Sequence, residues 1–146
     1  MARVSWGRLV VVHIGCRRII LRNWNRWREV VGVEVIPGFF QSKDEVLEDI
    51  RSNDTWPTTF VSGPSEGLPV HWHAEEVHAY IMEGETDFLD VESQQRLPGK
   101  PGDKVIVPAR TLHAEGVVRD RVVYILAMPV ALDADNFLEM RSEEDL

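Results

Sequence analysis

Three histidines carry the most distinctive chemistry available to this chain. His71-Trp72-His73 sets two imidazoles two residues apart, and His113 follows forty residues after His73. On an extended strand, residues two apart face the same side. His71 and His73 would therefore point into one space, close enough to grip one ion. His113 comes shortly after Lys104–Val107, a β-rich run stopped by Pro108. An adjacent strand would carry it to the same point. Three neutral imidazoles suit one divalent transition metal, Fe, Zn, Ni, Mn or Cu. They leave coordination positions open for water or substrate, as a catalytic centre requires. The plain alternative is a pair of surface histidines on a strand. Other chemistries lack their motifs: the chain has no Gly-rich phosphate loop and no nucleophile elbow for Ser-His-Asp hydrolysis.

The elements that must position these rings read as mostly β. Val31–Ile36 is β-branched and predicts a strand, broken by Pro37 and Gly38. Ser42-Lys43-Asp44-Glu45 is a capping box, and Val46, Leu47 and Ile50 follow at helical spacing, which predicts a short helix over 43–52. Pro57 excludes its continuation. Thr58–Ser62, Val70–Met82, Asp87–Val91 and Lys104–Val107 read as strands. Ala114–Val118 and Arg121–Met128 read as a hairpin with Arg119 and Asp120 near its tip. Turn clusters stand at Gly63–Gly67, Glu83–Glu85 and Gly99–Asp103. The polar tail from Ala131 offers a helix start at Asp133 or Asp135. Short strands between turn signals predict an all-β antiparallel sandwich or barrel with one short N-terminal helix. Phe60, Tyr80, Phe88 and Tyr124 lie on strands that would line or flank its interior.

Two stretches resemble the motifs of the cupin superfamily. The first runs from Gly67 through His71 and His73 to Gly84. The second runs Gly102, Pro108, Arg110, His113 and Val117, with Arg110 and Val117 where the family has Gly and Asn. Gly67 stands three residues before His71, where the family spacing is five. The resemblance covers residues 67–117. It implies a cupin double-stranded β-helix, an RmlC-like jelly-roll barrel, over residues 31–146, and a homodimer. It also implies a carboxylate ligand shortly after the His-x-His pair. Counting back from Gly84 puts Val77 at that position, whereas the local Glu-Val pattern suggests Glu76, which would need a bulge to face inward. The implied ligand set is thus His71, His73, His113 and Glu76. Glu75, His78 and a three-histidine site without a carboxylate are the alternatives. Arg110 offers a guanidinium for a substrate carboxylate, against the alternative of a solvated loop arginine. Among cupin activities, the resemblance points to a metal-dependent, dioxygenase-like enzyme acting on a small organic molecule. A small-molecule-binding or sensing module is the second reading, and a metal-independent isomerase or epimerase the third.

Composition narrows the setting. With 146 residues, 44% hydrophobic and 27% charged, the chain reads as one globular domain. The single cysteine, Cys16, excludes an internal disulfide framework and suits a cytoplasmic protein. Seven arginines and one acid fall in residues 1–30, an extension of undetermined role; the remaining residues hold nine basic and 23 acidic side chains. An acidic body repels polyanions, so a nucleic-acid partner is not expected. No apolar run reaches the roughly 20 residues of a membrane span, so no membrane partner is expected either.

Overall fold

The computed structural model describes residues 31–133, 135 and 137–146, and the arginine-rich segment 1–30 lies outside the described residues. Its elements run β1 (Glu34–Ile36), α1 (Lys43–Ser52), β2 (Trp56–Ser62), β3 (Val77–Glu83), β4 (Thr86–Asp90), β5 (Gln95–Gly99), β6 (Lys104–Val107), β7 (His113–Glu115) and β8 (Val122–Met128). They form two antiparallel sheets. The larger has the order β1-β6-β3-β8-β2 and the smaller β5-β4-β7. No described helix is long and apolar enough to cross a membrane.

Side-chain alternation gives each strand a core face. On β3, Val77, Ala79 and Ile81 join Val105 and Val107 of β6, Phe88 of β4, and Val122, Tyr124 and Leu126 of β8 in one apolar core. Tyr80 points the other way, onto Phe40, Val46 and Ile50. That outer face is where α1 docks. Its capping box forms as expected, with the Ser42 hydroxyl accepting from the Glu45 N–H. Asp49 of α1 accepts from the Tyr80 hydroxyl and from the Lys104 ammonium, each at 2.5 Å, pinning the helix to the sheet. Pro57 lies within β2, an edge strand, where proline is tolerated.

Several sequence expectations need correction. Val70–Met82 is not one strand. His71 and Trp72 form bridges to His113 and Arg141, the chain then turns, and β3 begins at Val77 in the other sheet. The expected hairpin of residues 114–118 and 121–128 does not form: β7 pairs with β4, whereas β8 pairs with β2 and β3. The reason is the same in both places, because each apolar run is cut where the chain crosses between sheets. β5 was not expected from the sequence. Tail residues 133 and 135 start no helix among the described residues; a single 3-10 turn forms at Glu143–Asp145.

Candidate metal centre

His71 and His113 are direct cross-strand partners, exchanging both backbone N–H···O=C bonds at 2.9 Å. Such partners present their side chains to the same face, and His73 joins them two residues along. The three rings are buried and lie with centroids 4.3 to 5.1 Å apart. Their ligand atoms all fall within 4.8 Å of one another. The structure thus brings together His71, His73 and His113 as the spacing suggested.

The far side of each ring fixes what the near side can do. The Nδ1–H of His71 donates to the Pro69 carbonyl at 2.7 Å, that of His113 to Thr111 at 2.9 Å, and that of His73 to Glu139 at 2.9 Å. A carbonyl only accepts, so each Nδ1 carries the proton and each Nε2 keeps its lone pair. Backbone-held imidazoles of this kind are the usual outer support of metal ligands. Burial depresses the pKa of His73, and that of His113 falls to about 4 for the same reason. Both rings therefore stay neutral and ligand-competent at neutral pH. His71 Nε2 is buried with no hydrogen-bond partner, an unsatisfied acceptor of the kind a cation would relieve. The donor set thus fits one divalent transition ion.

The structure puts Glu76 elsewhere. It sits at the corner between the two sheets with its side chain half exposed, and it accepts from His78 Nε2 at 2.8 Å. No bulge turns it inward, because the strand has ended before it. His78 faces outward on β3, beside Lys104 and Asp49, whose charges act on it. Glu75 lies at the same corner, outside the histidine group. The carboxylate beside the rings is one that sequence reasoning passed over, Glu115. Its Oε2 lies 3.7 Å from His71 Nε2 and is buried without a hydrogen-bond partner. Burial pushes its carboxyl up, opposed by His71. The pattern His113-Ala114-Glu115, a second pair at strand spacing, was the signal that could have found it.

A cavity of about 280 Å³ opens beside the histidines, between the inner faces of the sheets. His73, His113 and Glu115 reach its wall, and most of the remaining lining is apolar. Phe60, Phe88 and Tyr124 line it as expected, whereas Tyr80 packs outside against α1. The tail closes one side with Phe137, Leu138 and Met140. It is tied down where Trp72 Nε1 donates to the Ser142 carbonyl at 2.8 Å and where Trp72 and Arg141 pair through their backbones. Arg110 is not at the cavity. Its guanidinium covers the Trp72 ring and donates to the Leu146 carbonyl.

Two antiparallel sheets closing on one apolar core, with histidines from both motifs converging at an internal cavity, define the fold as the double-stranded β-helix of the cupins. Comparison with solved structures finds partial likenesses. The chain is similar to the DMSP lyase DddQ from Ruegeria pomeroyi DSS-3 (22% identity, TM-score 0.47), covering 56% of this chain and 41% of the lyase chain. It is similar to a DUF861 family protein from Thermotoga maritima (17% identity, TM-score 0.48), covering 66% of this chain and 98% of that one. It is also similar to an RmlC-like cupin protein from Desulfovibrio desulfuricans (20% identity, TM-score 0.42), covering 80% of this chain and 98% of that one. No family model and no curated protein matches the sequence.

Proposed function

We propose that this protein is a metal-dependent, dioxygenase-like enzyme acting on a small, largely apolar organic molecule. One observation carries the reading: three buried imidazoles, each locked in the Nδ1–H tautomer, bring their ligand atoms within 4.8 Å of one another, and two of them reach the wall of an apolar cavity. His71, His73 and His113 would hold the ion. When bound, a divalent transition metal supplies Lewis-acid polarisation and, if it is Fe(II), access to O2. The rest falls to the chain itself. The apolar walls exclude water and select a compact, poorly charged substrate. The tail residues 137–140 cover it, and the aromatic rings of Phe60, Phe88 and Tyr124 orient it. Among the described residues no Lys or Arg side chain lines the cavity, which argues against a phosphorylated or polyanionic substrate.

The test has two parts. Metal analysis of the purified protein should find close to one transition ion per chain, reduced to background in a His71→Ala/His73→Ala variant. The Fe(II)-loaded protein should then consume oxygen with at least one member of a panel of diketones, catechols and thiols. Full occupancy with no uptake, but ligand-dependent melting, would assign the cavity to a binding module instead. Background metal in the unaltered protein after loading refutes the reading outright.

A further inference from the structure

We propose that Glu115 is the fourth, carboxylate ligand of the metal centre, supplied by the strand of His113 rather than by the segment that follows His73. The proposal rests on the three-histidine reading above and adds a residue to it.

Glu115 and His113 are two apart on β7 and share its inner face. His113 is the direct partner of His71, so Glu115 is the diagonal neighbour of His71, within reach of a long side chain. The measured gap between Glu115 Oε2 and His71 Nε2 is 3.7 Å. Two donors each about 2.1 Å from one tetrahedral ion lie roughly 3.4 Å apart, so the observed gap is that of two ligands of a common ion. It is too long for a hydrogen bond.

His71 Nδ1 spends its proton on the Pro69 carbonyl, which leaves a lone pair on Nε2. That lone pair faces a carboxylate oxygen, and both atoms are buried with no hydrogen-bond partner. Two buried acceptors confronting each other are mutually unfavourable unless something electropositive sits between them. A metal ion satisfies both at once and explains why an acid is kept in a cavity lined by Phe88, Tyr124 and Leu126.

The rival acid is engaged elsewhere. Glu76 is committed to His78 on the outer side. Val77, at the spacing where the resemblance expects an acid, points its side chain into the core. The carboxylate has in effect moved to the facing strand, where it reaches the same point in space.

Co(II) binding tests this without any turnover assay. The unaltered protein, Glu115→Gln, Glu115→Ala and Glu76→Gln would be titrated with Co(II), following heat and the visible d–d spectrum. Melting of the metal-free forms reports whether each variant folds, and Glu115→Ala serves if the glutamine variant does not. Expected is a fall in Co(II) affinity of at least tenfold on loss of Glu115, since even loss of an outer partner of a ligand costs about 10–100-fold. The spectrum should change with it, while Glu76→Gln stays within twofold of the unaltered protein. Unchanged affinity and spectrum in a folded Glu115 variant overturn the proposal and leave the three histidines standing. A loss confined to Glu76→Gln overturns it in favour of the other acid. If the unaltered protein binds Co(II) no better than a His71→Ala/His73→Ala variant, the histidine reading fails as well.

Discussion

Removing the Asp49 carboxylate should strip α1 of its anchor while leaving the metal centre intact. The Lys104 ammonium is almost wholly buried, with its side chain 5% exposed, and Asp49 is its ion-pair partner. The same carboxylate accepts from the buried Tyr80 hydroxyl. Phe39 and Tyr80 supply ring faces over the ammonium, at 4.8 and 5.4 Å, but no counter-charge. Breaking a buried pair from one side costs about 3–5 kcal/mol, because an uncompensated charge stays behind. Asp49 keeps 22% of its side chain exposed, so water screens part of the loss, and the lower end, about 3 kcal/mol, applies to Asp49→Ala. For a domain of this size that is on the order of 10 °C in melting temperature. Removing all the polar groups together should cost far less than removing one. Asp49→Leu/Lys104→Met/Tyr80→Phe should therefore recover to within about 1 kcal/mol of the unaltered protein. Urea denaturation gives the energies, and Co(II) titration should stay within twofold throughout, since β3 turns its other face to the cavity. A loss below about 1 kcal/mol in Asp49→Ala, or a triple variant no more stable than the single one, refutes the argument.

Three further outcomes follow from the same geometry. At Gly67, with φ +98, a Cβ would stand 2.5 Å from the Glu115 carbonyl oxygen, so Gly67→Ala should cost at least about 2 kcal/mol and weaken Co(II) binding by shifting β7, as read by melting and titration. The metal-free protein should lose stability as pH falls from about 6.5 toward 4: the unfolded chain takes up a proton on His113 that the folded one resists, and a shift of this size is worth about 3 kcal/mol. His73 acts in the same direction and Glu115, whose pKa is raised, in the opposite one. Comparing urea midpoints of the unaltered protein and Glu115→Gln across that range isolates the histidine contribution, and flat midpoints in the variant would contradict it. Ala79→Leu projects into the cavity, so its stability should change by less than the roughly 1–3 kcal/mol of an overpacked core, while apolar ligands lose their binding in a thermal-shift screen.

How far the sequence could be read depended on how local each signal was. The helix over 43–52 was legible to the residue, because its capping box and apolar spacing lie within one short segment. Lys104–Val107 was equally clear between its turn cluster and Pro108. What failed was pairing. Residues 114–118 and 121–128 read as neighbours because they are adjacent in sequence, yet the chain changes sheets between them, and nothing local marks the change. The same blindness joined His71 to Val77 in one strand. Tyr80 could be placed only as lining or flanking the interior, for want of the register that turns it onto α1.

The acid at the centre was missed for a related reason. A motif is a string, and a string assigns the carboxylate to whatever follows the His-x-His pair. A metal site is a set of positions around a point, and any strand passing that point can supply one. Here the hydrogen-bonded pairing of His71 with His113 makes positions 73 and 115 both diagonal neighbours across the same two segments. An acid on either side of that pair reaches the rings equally well. After the chain turns at the corner beyond His73, Glu76 is committed to His78, and the β7 side supplies the acid beside His71. The departure from the family spacing at Val77 and the acid at Glu115 are then two consequences of one crossing between sheets.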